Sequence, residues 1–459
     1  MAMTSEPATL TEPTASEPSW LASIEALEAD YAARNPRSRR QYELGRTVMP
    51  GGVAKGAYFN RPYPLFMASG EGCYVTTLDG QRLLDCGNHH TAAVLGHQHP
   101  AVMTAVQEQL ARGIALGGPT EVEYELAREL TQRVPSLERV RFAGSGGEAA
   151  YNVLRLVRGW TGRPKIAKFE GAFHGRIDAL EISVSPPLDQ AGPAEAPQPV
   201  PQGQGFVRGA AEDAVILPYG QPEAVTRLLE QHRDELAAVW LDPRAGILSI
   251  DRDFVRFMRR ITTDLDLLLV MDEVVSFRIG PGGLQELCGI RPDLTTFGKI
   301  IGGGFPIGAF GGRADLMYLL DDARGGTGYL HSGTFHGHPV SLAAGLATLR
   351  TLTPAAYRHL SELGDELRRE ANALFARLGV AAQAVGDGSL FGFHFTAEPL
   401  RDYRSLATAD REQTYRTFLQ LLGHDILLSS GLSMSALSLP MDRSHVATLL
   451  AALEQALTQ

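Results

Sequence analysis

Leu267-Leu-Leu-Val-Met-Asp-Glu-Val-Val275 is an apolar run that ends in a carboxylate at Asp272. A strand buried on both faces has no solvent side for polar alternation, so it reads as a short continuous apolar run of this kind. Similar runs occupy residues 140–143, 165–169 and 237–241, with helix-length stretches between them. This alternation predicts an α/β fold built on a mainly parallel sheet with helices on both faces. Burying Asp272 is costly without a cation or a strong donor. A protonated heterocyclic nitrogen is one candidate partner, and a bond to a neighbouring loop is the other.

Two further stretches punctuate the same pattern. Phe142-Ala-Gly-Ser-Gly-Gly-Glu148 leads from a strand into a helix bearing Val153, Leu154 and Val157. Small residues there leave backbone N–H groups free for a phosphate, and the helix dipole adds to the attraction. A tight turn is the plainer reading. Asp293-Leu-Thr-Thr-Phe-Gly-Lys299 is followed by Ile300-Ile-Gly-Gly-Gly-Phe-Pro306. Most such lysines are surface groups, but a desolvated one becomes a neutral amine able to form a Schiff base. A phosphate cradle, an Asp for a pyridinium nitrogen and a Schiff-base lysine are together what pyridoxal phosphate requires.

On the N-terminal side, residues 20–46 read as helical, Pro50-Gly51-Gly52 breaks the chain, and residues 72–85 alternate around Asp79-Gly80 as a β-hairpin. Pro100 opens a helix with Met103, Val106 and Leu110 on one face. Thr120 and Glu123 have capping-box spacing ahead of Val122, Leu126, Leu130 and Val134. A Pro/Gly/Gln-rich stretch at 185–213 predicts a long surface loop or a lid. Beyond residue 341, Leu360, Leu367, Leu374 and Leu378 share a stripe and short strands follow near 388–396 and 426–439. Val446, Leu449, Leu450, Leu453 and Leu457 mark a last amphipathic helix.

Composition narrows the function. The chain of 459 residues has 42 Lys+Arg against 52 Asp+Glu, a net charge of −10, which argues against nucleic acid as the main partner. No apolar run approaches the roughly 20 residues that span a bilayer, so no membrane partner is expected. Cys73, Cys86 and Cys288 are scattered and fit a reducing compartment. Residues 1–19 contain no Lys or Arg, unlike a signal or transit peptide, and read as a disordered extension on a cytoplasmic protein. His89, His90, His97 and His99, like His331, His336 and His338, lack cysteine or carboxylate neighbours at metal-ligand spacing, so no metal is expected.

Phe142–Glu148, Phe169-Glu-Gly-Ala-Phe-His174-Gly175, Met271-Asp-Glu-Val-Val275, Thr296-Phe-Gly-Lys299 and Gly333-Thr334-Phe335 occur in one order. From about Pro50 onward they resemble the class III pyridoxal-phosphate-dependent aminotransferases of fold type I, especially the branch containing glutamate-1-semialdehyde aminomutase. The resemblance implies a large domain with a seven-stranded-type sheet and a smaller α+β domain from both chain ends. It divides the chain into 1–19, 20–90 (small domain), 91–344 (large, cofactor-binding) and 345–459 (small domain). It gives Lys299 the covalent bond to the cofactor and Asp272 the pyridine nitrogen. Val274 and Phe173 take opposite ring faces, and Ser145, Gly146 and Gly147 take the phosphate, with Thr334 added by a second subunit of a homodimer or larger assembly. Asp242 stands near the ring, and His174 has a structural or cofactor-orienting part.

The chain also departs from that family. Ser145-Gly146-Gly147 replaces a usual Ser-Gly-Thr, and Leu241-Asp242-Pro243 replaces a common Glu-Pro, followed by Arg244. The aminomutase's carboxylate-binding arginine aligns with Tyr58, and the arginine of β-amino-acid aminotransferases aligns with Leu432. Tyr58, Phe59, His89 and His90 then make a pocket suited to a hydrophobic or aromatic amine. The implied reaction is ping-pong transfer from a primary amine to an oxo acid such as pyruvate. Arg61, Arg176, Arg244 and Arg443 are candidates for the acceptor carboxylate. A β-amino-acid aminotransferase and an aminomutase-type isomerase are the alternatives.

Overall fold

The computed structural model describes residues 23–243, 246–324 and 329–458. The predicted extension at 1–19 and Arg244 lie outside the described residues.

The apolar runs do become adjacent strands. In chain order they are β1 (Arg139–Ala143), β2 (Lys165–Phe169), β3 (Ala214–Leu217), β4 (Leu236–Leu241), β5 (Leu269–Asp272), β6 (Leu294–Gly298) and β7 (Gly308–Gly312). They form one seven-stranded sheet in the order β1-β7-β6-β5-β4-β2-β3. Pairing is parallel throughout except at β7, which runs antiparallel to both β1 and β6. Every residue of β3 to β7 is buried, which is why these strands show no alternation in sequence. The glycines of β7 answer to space. A side chain at Gly311 or Gly312 would run into the backbone of Arg139 or Asp293 on the neighbouring strands.

Away from this sheet, the hairpin forms as expected between Tyr74–Thr77 and Arg82–Asp85. Arg82–Asp85 also pairs in parallel with Ile426–Leu427, so the two ends of the chain share a sheet. The long helix Pro354–Leu378 buries Leu360, Leu367 and Leu374, and Arg443–Thr458 buries Val446, Leu449, Leu453 and Leu457. The loop at 185–213 is strapped down. Ile182 bridges Pro201, Tyr403 Oη donates to Pro186 O at 2.8 Å, and Arg404 donates to the carbonyls of Ala191 and Gly192.

Two local expectations need correction. Helix Pro100–Arg112 buries Val102, Val106 and Gln109, whereas Met103 and Leu110 stay 40% and 46% exposed. Thr120 is the N-cap of Glu121–Arg133, but its hydroxyl makes no capping bond and is buried without a partner, so the capping box does not form.

Candidate active site

Brought together by the strand order, the sequence-predicted residues sit at the carboxyl ends of neighbouring strands, where open α/β sheets bind their ligands. Ser145 follows β1, Phe173 and His174 follow β2, Asp242 follows β4, Asp272 ends β5 and Lys299 follows β6.

Ser145 caps a helix, Gly146–Thr161, by accepting from Glu148 N–H at 3.1 Å. Its hydroxyl proton remains available to an anion in front of the helix. Only Gly146 among these glycines is required by a neighbour. A Cβ on Gly146 would lie 2.9 Å from a methyl of Val274. One on Gly298 would lie 3.4 Å from both Val274 and Gly146 Cα. A Cβ on Gly147 would meet the Gly175 backbone at an ordinary 3.4 Å, so this position tolerates a side chain. Val274, the phosphate-type loop and the residue preceding Lys299 are therefore in mutual contact. A cavity of about 790 Å³ opens beside them, with Ser145, Gly147, Tyr151, Phe173 and Arg176 among its walls. Phe173 is 48% exposed there, and the Arg176 guanidinium lies 5.6 Å from its ring centre.

Asp272 is 8% exposed and has two partners. Its Oδ1 accepts from Val274 N–H at 3.0 Å and its Oδ2 faces His174 Nδ1 at 2.7 Å. His174 is itself buried, and its Nε2 has no partner. The next residue, Glu273, is a structural group. It accepts from the N–H groups of Leu284 and Gln285 and from Ser276 Oγ, while burial raises its pKa.

Lys299 carries φ 52°, a left-handed conformation for a side chain with a Cβ, as is common where strain is held at a working site. Desolvation is the main cause that brings its pKa down to about 8, opposed by the charges of Asp272 and Asp242 and assisted by Arg278 and Lys55. A usual lysine holds its proton to about pH 10.4. Uptake of pyridoxal phosphate by cofactor-free protein is therefore expected to accelerate with pH through a midpoint near 8, since only the neutral amine attacks an aldehyde. Stopped-flow absorbance across pH 6.5–10 checks this; a midpoint near 10 contradicts it.

A second cavity of about 730 Å³ is lined by Tyr58, His89 and His90 together with Asp85, Met49 and Ser429. Tyr58 and His90 stack with ring centres 6.1 Å apart. Desolvation, with Lys55, His89 and Lys299 adding to it, lowers the His90 pKa to about 4, so this imidazole is neutral at pH 7. Phe59 is not part of this wall, and its ring lies 6.1 Å from Tyr42 instead. Leu432 is fully buried. Arg61 and Arg443 pair with Glu28 and Glu366, away from this cavity. Thr334 is exposed and lines neither cavity.

Lys55 belongs to none of the motifs quoted from the sequence. Its amine sits 4.1 Å from the centre of the Tyr58 ring, and its charge reaches His89, His90 and Lys299. The available signal was that it is the sole Lys or Arg between Arg46 and Arg61.

The Aminotransferase class-III family profile matches residues 57–418. The chain belongs to the class III aminotransferases. Among its relatives, the glutamate-1-semialdehyde 2,1-aminomutase of Methanothermobacter thermautotrophicus is 35% identical over 92% of this chain and 99% of its own. The β-phenylalanine transaminase of Variovorax paradoxus is 38% identical over 91% and 92%. The crystal structure of an ω-transaminase from Sphaerobacter thermophilus superposes with a TM-score of 0.88 at 39% identity, covering 93% of this chain and 98% of that one. This is the fold type I architecture, and pyridoxal 5'-phosphate is the cofactor of this class III enzyme. The residues fit that group: a glycine, Gly146, at a helix N-terminus where a side chain would clash, a buried carboxylate, and a lysine amine with a lowered pKa. Among the described residues, no helix is long and apolar enough to cross a membrane.

Proposed function

We propose that the enzyme moves the amino group of a primary amine bearing a hydrophobic or aromatic substituent, and no α-carboxylate, to an oxo acid such as pyruvate. The observation that carries this reading is the second cavity, whose wall residue His90 feels the charge of Lys299. Tyr58, His89 and His90 line it, no described arginine does, and Leu432 is buried where a β-amino-acid enzyme would present a cation.

When bound, pyridoxal phosphate supplies an electron sink for the carbon that carries the amine. Ser145, Gly146 and Gly147 hold its phosphate with backbone N–H groups and one hydroxyl, joined by Thr334 from a second copy of the chain. Asp272, held by His174 and Val274 N–H, would keep the ring nitrogen protonated, with Asp242 as a neighbouring carboxylate. Val274 and Phe173 would take the two faces of the cofactor ring. Lys299 would hold the cofactor, and its amine would move the proton at the substrate carbon. Shared sites in a homodimer are supported by apolar side chains left open along 114–124 and 330–335. Ile114, Tyr124, Leu330 and Phe335 are 53%, 66%, 70% and 68% exposed.

Lys55 favours a second reading, a β-amino acid donor whose carboxylate would meet that ammonium group. The 38% identity to a β-phenylalanine transaminase favours it too. Steady-state rates with pyruvate decide between them. On the first reading, 1-phenylethylamine exceeds β-phenylalanine in kcat/KM by about tenfold or more. The reverse order, abolished by Lys55→Gln, would establish the second. Isomerisation of glutamate 1-semialdehyde without any oxo acid would overturn both.

A further inference from the structure

Asn88, His89, His90 and Thr91 have φ values of 50°, 48°, 53° and 72°. Four consecutive residues with side chains thus make one left-handed turn, although such residues visit this region singly as a rule. A conformation of this kind persists only where its surroundings over-determine it. The inner two residues, His89 and His90, line the cavity that Tyr58 also lines, and His90 feels the charge of Lys299, while the outer two, Asn88 and Thr91, are buried.

Arg278 supplies much of that constraint. It sits in the turn Ser276–Ile279, a few residues beyond Asp272, and is 1% exposed. Its Nη1 donates to Asn88 Oδ1 at 2.9 Å and to Thr91 O at 2.6 Å, gripping both ends of the left-handed turn. Its Nη2 donates to Leu437 O at 2.6 Å and its Nε to Ser389 Oγ at 3.0 Å. Asp85 Oδ1 accepts from Asn88 N–H at 2.8 Å, and Asn88 Nδ2 donates to Ala93 O at 2.8 Å. None of the four acceptors of Arg278 is a carboxylate. Burying a guanidinium without a counter-charge is an expensive way to fill space that an apolar side chain would fill more cheaply. What it achieves is geometric, because a rigid planar fork joins three distant stretches of chain at fixed angles.

We propose that Arg278 is a positioning residue for substrate specificity: it locks the left-handed turn Asn88–Thr91 and thereby fixes where His89 and His90 meet the large substituent of the amine donor. This rests on the reading of that cavity as the donor pocket. Without the fork, the turn relaxes, His90 leaves its stack on Tyr58, and the wall facing an aryl group loosens. A small amine makes little use of that wall.

The test compares Arg278→Met, Arg278→Lys and His90→Ala in the cofactor-loaded enzyme, using 1-phenylethylamine and isopropylamine with pyruvate. It also measures the dissociation constant of 1-phenylethanol, an unreactive analogue of the donor, by calorimetry. Arg278→Met is expected to raise both the KM for 1-phenylethylamine and the dissociation constant of 1-phenylethanol by about tenfold. At pH 9, where loss of the Arg278 charge still leaves the Lys299 amine largely neutral, isopropylamine kinetics should stay within about threefold and the lysine-bound cofactor absorbance should not change. Arg278→Lys, which cannot form the fork, falls between the two. His90→Ala reproduces the selective loss and adds little on top of Arg278→Met. If Arg278→Met does not fold, Asn88→Ala removes one acceptor and carries the same selective loss at about threefold. Equal losses for both amines in a folded variant, or a selective loss that His90→Ala does not share, overturn the proposal alone. A wild-type enzyme that binds neither 1-phenylethylamine nor 1-phenylethanol overturns the donor-pocket reading and the proposal with it.

Discussion

Lys299→Ala yields a folded protein that still binds pyridoxal phosphate but turns over about 10⁴-fold more slowly than the parent, the upper range for losing a general acid–base group. The phosphate loop, Val274 and Asp272 belong to strands and a helix that do not depend on Lys299, so noncovalent binding survives. What disappears is the amine with a pKa near 8, poised at the end of β6. No other described lysine can replace it. Lys168 is buried and donates to Ala172 O and Ile182 O, and Lys55 lies over Tyr58. Absorbance shows whether the lysine-bound form of the cofactor is lost, and single-turnover kinetics with 1-phenylethylamine measure the rate. Ethylamine in the buffer should restore part of it, because a free amine can move the same proton. A variant within tenfold of the parent would remove Lys299 from the mechanism.

Asp272→Asn has the next largest effect, a fall in kcat of about 10²–10³, the scale of losing one preorganised electrostatic partner. The amide matches the carboxylate in shape, so the fold is unchanged. It removes the negative charge beside the ring nitrogen and offers only one acceptor where Val274 N–H and His174 each have one now. The same substitution has a second signature with a definite sign. Asp272 raises the pKa of Lys299, so removing its charge moves that amine below about 8 and shifts the midpoint of cofactor uptake to lower pH. A midpoint that moves upward, or a kcat near that of the parent, contradicts the assignment.

The candidate site was legible because it is built from local signals that the sheet brings together. Residues 267–275 and 293–299 each show a buried strand followed by a polar residue, and adjacent strands must place those residues side by side. The rest depends on contacts between distant parts of the chain. Arg278 bonds to Asn88 and Leu437, 190 and 159 residues away, and nothing near position 278 announces either partner. The left-handed turn at Asn88–Thr91 contains no glycine to mark it. The stripe of Met103, Val106 and Leu110 has helical spacing, but spacing does not say which apolar face meets the protein's own core and which is left open. Thr120 and Glu123 match a capping box as letters, yet the hydroxyl turns into a buried position and makes no bond. Phe59 neighbours Tyr58 in sequence and leans on Tyr42, because consecutive side chains in an irregular segment need not share a wall.

The most direct test of the account is a half-reaction. The cofactor-loaded enzyme is mixed with 1-phenylethylamine and no oxo acid, and the cofactor absorbance is followed. Stoichiometric conversion to the pyridoxamine form is expected, with one acetophenone released per site and full recovery on adding pyruvate. An unchanged spectrum with this amine, alongside conversion by glutamate 1-semialdehyde, would contradict it.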